Sequence, residues 1–193
     1  MTLAADVHQY VTTCPACQQM KVFPARGART LQPIPPSSIP WEEITADLIV
    51  ELPQSQGFNA IFIVVDHFTK HAHFIPTTLN LSAEGATKIF HDRVWTQHGW
   101  PKKIIMDRGT QFTVKFAIAV NKSIGIQTAL SIAYHLQTNG QTEHINQDLE
   151  QYLCLYTNYM QDDWSDWLAP AKFAYNNHEH SSTKSSRFFL EYG

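Results

Sequence analysis

Three carboxylates carry the chemistry that this 193-residue sequence offers: Asp47, Asp107 and Glu143. Asp47 sits inside the β-branched-rich run EITADLIVEL at 43–52, where an aspartate is disfavoured. Strand alternation puts Ile44, Ala46, Leu48 and Val50 on one face and Thr45, Asp47, Ile49 and Glu51 on the other. A buried, unpaired acid in that setting costs about several kcal/mol unless a cation or hydrogen bonds compensate. Asp107 ends the short apolar run KIIM, and ligand sites in α/β folds lie beyond the ends of such strands. Glu143 is expected to open a long helix from about Thr142 to Met160 and to face back toward the sheet edge. Between Asp47 and Asp107 lie 59 residues, and between Asp107 and Glu143 lie 35. Each acid also has an ordinary reading. Asp107-Arg108-Gly109 is a plausible turn, and a first-turn glutamate complements a helix dipole.

Other candidate ligands are weaker. Cys14-Pro-Ala-Cys17 has zinc-ligand spacing but is half a site, and His8 could add a third ligand only fortuitously. His71 and His73 alternate along one strand face, and are expected to be exposed polar positions with no third ligand at suitable spacing. His178 and His180 receive no role. Cys154 is expected in the core, on the apolar side of the long helix. Trp164, Trp167, Phe173 and Tyr175 fall at helical spacing and are expected in the core or a subunit interface.

The elements that must position these groups read as one α/β unit. A short helical stripe at Val7, Tyr10, Val11 and Cys14, with Asp6 as cap, precedes LQPIPPSSIP. Four prolines in those ten residues make that stretch an extended linker. We therefore divide the chain into residues 1–30, a linker at 31–40, and a main domain at 41–193. Within that domain, strands are expected at 43–52, 60–68 and 71–78, and a helix at 82–97. A strand at 102–106 and a helix near 112–123 follow, then a strand around 125–131, a polar loop at 134–141, and helices at 142–160 and 164–177. Three antiparallel strands followed by crossovers give a mixed sheet with helices on both faces. Composition fits: 44% hydrophobic, 16% charged, net charge −3, and mean hydropathy −0.25. No apolar run is long enough for a membrane span, no signal peptide is expected at the start, and three cysteines suit a reducing compartment. The slight acidity gives no general attraction to nucleic acid, so such a function must rest on a site.

From about Val7 to Gly193 the chain resembles the integrase of gypsy-type long-terminal-repeat retrotransposons, relatives of retroviral integrases. The resemblance is carried by Trp41-Glu42-Glu43-Ile44 with Asp47, IFIVVDHFTKHAHFIP (61–76) and HGWPKKIIMDRGTQF (98–112). AYHLQTNGQTEHINQDLEQYL (133–153) and DDWSDWLAPAKFAYNNHEHSST (162–183) complete it, and the acid spacing matches the family's D,D-35-E pattern. It implies a ribonuclease-H-like core with a mixed five-stranded sheet, in which Asp47, Asp107 and Glu143 resemble the metal-binding catalytic triad. Two Mg²⁺ or Mn²⁺ ions are implied as cofactors, since hard cations choose carboxylate oxygens. The implied reaction is trimming of DNA 3′ ends and their joining to target DNA, with element cDNA ends and target DNA as partners, a homo-oligomer as assembly and the nucleus as location. His135, Gln137, Asn139 and Gln141 of the active-site loop, with His144, are the implied DNA contacts. Residues 1–30 resemble the end of a His-His-Cys-Cys zinc module whose histidines would lie upstream.

Several positions depart from the family pattern. Leu136 replaces a usual proline, Asn139 a usual aspartate and His144 a usual arginine; Lys184 and Arg187 alter the closing segment. No lysine or arginine occurs between Lys122 and Lys172. A DNA-binding helix normally carries such charges. The alternative expectation is therefore a decayed domain that acts only in oligomerisation or nucleic-acid binding. A ribonuclease-H-type nuclease lacks a placed fourth acid.

Overall fold

The computed structural model describes residues 3–15, 39–106, 114–116, 118–120, 122, 131–133, 139–180 and 182–193, with backbone alone at 131–133 and 139–143. Strand-forming runs deliver β1 (Glu43–Ile49), β2 (Ala60–Asp66) and β3 (Ala72–Thr77), joined in antiparallel order. β1 stops three residues earlier than its apolar pattern, before Glu51 in left-handed backbone (φ 64°) and Pro53. β4 (Lys103–Met106) then pairs parallel to β1, and β5 (Ser131–Ala133) parallel to β4. The order β3-β2-β1-β4-β5 places β1 at the centre; four strands have four to seven residues, and the edge strand β5 has three. Of the strand expected around 125–131, Ser131 lies in β5, which continues to Ala133, and residues 123–130 lie outside those described.

Helices cover both faces, as expected. One face buries Ile44, Ala46, Phe62 and Val64 against α2 (Ala83–Phe90) and its continuation, with Phe116 and Val120 beside them. α2 is capped by Ser82, whose hydroxyl accepts from Gly85 N–H. It runs through a π-turn at His91–Trp95 into Thr96–His98 and stops at Gly99, whose φ of +81° suits a residue without Cβ. The opposite face buries Ile49, Ile61, Ile63 and Phe74 against α3 (Asn139–Tyr156) and α4 (Trp164–Asn177). α4 has the expected limits. α3 begins three residues before the expected Thr142 and ends four before Met160, so the positions of Asn139 and Gln141 belong to its first turn and not to a loop. Glu143 is consequently its fifth residue and does not open it. A last helix, α5 (Arg187–Tyr192), adds to the expected elements; it is capped by Ser186, and Arg187 Nη1 donates to the carbonyls of Tyr175 (2.6 Å) and His178 (3.1 Å) at the end of α4. The first helix, α1 (Leu3–Thr13), begins ahead of Asp6, which lies in its first turn and is not its cap. No helix among the described residues is long and apolar enough to cross a membrane.

The edge strand β3 is closed by a side chain. Asp66 N–H donates to the His71 carbonyl at 2.9 Å at the end of the β2–β3 ladder, so at the next pair, Val65–Ala72, the N–H and C=O of Ala72 point away from β2. Asn176, fully buried, meets both: its Oδ1 accepts from Ala72 N–H and its Nδ2 donates to Ala72 C=O, each at 2.9 Å.

Candidate active site

Asp47 occupies the central strand, on the face that packs against α3. The side chain is half-buried. Its Oδ2 accepts from the Asn146 side-chain amide at 3.0 Å, and among the described residues no Lys, Arg or His forms an ion pair with it. Asn146 Oδ1 is buried and has no hydrogen-bond partner among the described residues. Sequence reasoning passed over Asn146, because a neutral amide in a polar helix carries no distinguishing signal; only its i+3 relation to Glu143 places the two on one helical face.

The parallel register of β1 and β4 pairs Ala46 with Met106. Each of these residues immediately precedes one of the two aspartates in the sequence. Asp107 lies outside the described residues, as do His135, Gln137 and Cys17. For Glu143, Asn139 and Gln141 the backbone alone is described, in α3. His144 is exposed and Cys14 half-buried. Among the described residues no group of three or more His, Cys, Asp or Glu side chains stands where it could hold a metal ion. The donor chemistry at Asp47 nevertheless suits one: a half-buried carboxylate on a central strand, with one neutral amide as its hydrogen-bond donor, offers the oxygen ligands that hard cations choose.

His71 and His73 overturn the expectation of exposure. They are 1% and 3% exposed, packed beside Trp41 and His98 between β3 and the end of α2. His98 stacks on Trp41 with ring centroids 3.7 Å apart. Lys172 Nζ reaches His73 Nδ1 at 2.9 Å, His73 Nε2 meets His98 Nε2 at 2.8 Å, and His98 Nδ1 meets Glu191 Oε1 at 2.9 Å. Trp41 Nε1–H donates to the same oxygen at 2.7 Å. Lysine only donates and an ionised carboxylate only accepts, so one tautomer set satisfies this chain: His73 carries its proton on Nε2 and His98 on Nδ1. Burial, with Lys172, His71 and His98 adding to it, pushes His73 down to about 2. Burial also takes His71 down to about 4, against the pull of Glu191. His67, whose Nε2 contacts Thr45 Oγ1, is likewise lowered by burial to about 4. For Glu191, burial acts upward, but the hydrogen bonds from His98 and Trp41 outweigh it and hold the carboxyl below its ordinary range. Cys154 is exposed, correcting its expected burial, because it lies off the stripe formed by Ile145, Leu149 and Leu153. Of the aromatic residues assigned to the core or an interface, Trp164 is 1% exposed and Phe173 61%.

A mixed sheet in this order with helices on both faces is the fold of retroviral integrase catalytic cores. The HTLV-2 integrase catalytic core domain in complex with magnesium (trimeric form) matches at TM-score 0.57 and 15% identity, covering 79% of this chain and 97% of that one. A chain in the simian T-cell lymphotropic virus intasome in complex with PP2A regulatory subunit B56 gamma matches at TM-score 0.64 and 17% identity, over 100% of this chain and 68% of that one. In sequence, the chain is 37% identical over 183 residues to the Tf2-3 and Tf2-4 polyproteins of Schizosaccharomyces pombe, a stretch covering 95% of this chain and 14% of each relative. No protein-family model matches. The chain thus has the fold of retroviral integrase catalytic cores and is similar over nearly its whole length to part of transposon polyproteins, spanning about 14% of the length of the curated relatives it matches.

Proposed function

We propose that this chain catalyses metal-dependent cleavage and joining of DNA ends, with Asp47, Asp107 and Glu143 holding the metal. The observation that carries this reading is the register pair Ala46–Met106, one residue ahead of each aspartate, together with the tie from Asn146 on α3 to Asp47. Mg²⁺ or Mn²⁺, two ions in this reading, would neutralise charge on the attacking and leaving oxygens of the phosphodiester. Asn146 holds Asp47 in one orientation, and the helix that carries Glu143 is anchored to the sheet by Ile145 and Leu149. Water breaks the phosphodiester when an end is trimmed, and the freed 3′-hydroxyl attacks target DNA when ends are joined. His135, Gln137, Asn139, Gln141 and His144 supply hydrogen bonds to the DNA. The partners are element cDNA ends and target DNA, the assembly is a homo-oligomer, and the nucleus is the place of action. The solved neighbours, a magnesium-bound integrase core and a chain of an intasome, support this assignment.

The absence of lysine and arginine between Lys122 and Lys172 favours one rival, a decayed core that only associates. Titrating Mg²⁺ or Mn²⁺ while following thermal unfolding separates the two. Metal at about ten times its dissociation constant stabilises the fold by about 1.4 kcal/mol. That gain and Mn²⁺-dependent DNA nicking are expected for the chain as it stands and lost in Asp107→Asn. Equal stabilisation and nicking in wild type and variant would overturn the assignment, and neither effect in either protein would establish the decayed reading.

A further inference from the structure

α3 and α4 run side by side over the sheet, and the groove between their outer faces has a composition that the DNA reaction does not use. Asp148, Tyr152 and Tyr156 succeed one another at i, i+4 and i+8 along α3. Opposite them on α4 stand Tyr175 and Trp167, with Asp163 at its start. Tyr152 and Tyr156 stack at 4.5 Å, and Trp167 lies 5.5 Å from Tyr156, whose ring is 50% exposed. At one end the groove deepens into a pocket of about 300 Å³ that Asp148 borders. Burial holds the Asp148 carboxyl above its ordinary range, against the charges of Arg187, His144 and His178. At the other end Asp163 accepts from Trp167 Nε1–H at 3.3 Å.

The electrostatics are one-sided. Asp148, Glu150, Asp162, Asp163 and Asp166 lie on or beside these helices, and none is in an ion pair among the described residues. The cations nearest the groove are turned inward. Arg187, which borders the pocket, is 5% exposed, with Nη1 on two carbonyls and its guanidinium 3.7 Å over the Tyr175 ring. Lys172 is directed to His73. His178 and His144 are the other cationisable groups that act on Asp148 at the pocket end. Such a face repels phosphate and attracts ammonium or guanidinium groups, which also bind over aromatic faces.

We infer that the α3–α4 groove is a docking site for a basic peptide segment of a partner protein, with one cation beside Asp148 in the pocket and another between the Tyr156–Trp167 rings and Asp163. From Asp148 to Tyr156 the helix rises about 12 Å. An extended peptide covers that span in about four residues. The segment that fits therefore carries two arginines or lysines four residues apart. Binding there is compatible with an open Asp47 site, because Asn146 faces the sheet and Tyr152 and Tyr156 line the groove.

The test uses the 193-residue chain and a fluorescent Gly/Ser peptide with two arginines four residues apart. Controls are the same peptide with glutamates and a DNA duplex. Anisotropy is expected to show binding of the arginine peptide alone at this face. Tyr156→Ala and Asp148→Asn should each weaken it about tenfold, as should raising salt from about 50 to about 300 mM. Tyr156→Phe, which keeps the ring, should bind as wild type and guards against a folding artefact. Binding of the arginine peptide unchanged in Tyr156→Ala, no preference over the glutamate peptide, or duplex binding weakened by Tyr156→Ala would each overturn the inference.

Discussion

The Asn146 side-chain amide donates to Oδ2 of Asp47 across 3.0 Å, joining α3 to the central strand. The bond fixes which Asp47 oxygen remains free for a cation. Groups that orient a metal-binding carboxylate influence activity nearly as much as the ligand itself.

Asn146→Ala is accordingly expected to lower Mn²⁺-dependent DNA cleavage about 10- to 100-fold while changing stability by about 1 kcal/mol. Gel assays of end cleavage beside thermal melts would check this. Full activity in the variant would remove Asn146 from the site.

Acid sensitivity follows from His67, His71 and His73. All three have folded values below the unfolded 6.5, at about 4, 4 and 2. Between pH 6.5 and 4 the unfolded chain therefore binds more protons, so stability is complete above 6.5 and falls as pH drops. Each proton taken up contributes a slope of about 1.4 kcal/mol per pH unit. Urea unfolding at several pH values would measure it, and His73→Leu should flatten the curve. A stability independent of pH across that window would contradict the neutral, buried histidines.

Asn176→Ala would orphan the N–H and C=O of Ala72 in a buried setting. A loss of about 2–4 kcal/mol is expected from chemical denaturation. Asn176→Asp should be nearly as damaging, since a carboxylate cannot donate to the Ala72 carbonyl.

Trp41 and Glu191 lie 150 positions apart in sequence and share one hydrogen bond. A double-mutant cycle of Trp41→Phe and Glu191→Ala should show a coupling of about 1 kcal/mol. Strict additivity would mean that the bond contributes nothing to holding α5.

Much of the fold is legible because strands and α4 announce themselves through apolar periodicity. The alternation that sets Asp47 opposite Ala46 is also plain in the sequence. The start of α3 is not: Asn139, Gly140 and Gln141 are turn formers, and the packing of Ile145, Leu149 and Leu153 draws the helix back through them. The buried histidines deceive for a related reason. Imidazole reads as a surface group, and only Trp41, His98 and Glu191, contributed by three distant parts of the chain, supply the partners that let His73 and its neighbours leave water. Asn146 and α5 depend on such long-range contacts as well.

By occupying both outward-facing groups of Ala72, Asn176 behaves as a one-residue stand-in for a sixth strand. Edge-to-edge polymerisation, the usual hazard of an open β-edge, is blocked at that point. A second copy therefore finds no free backbone donor or acceptor at Ala72 with which to lengthen the sheet from β3.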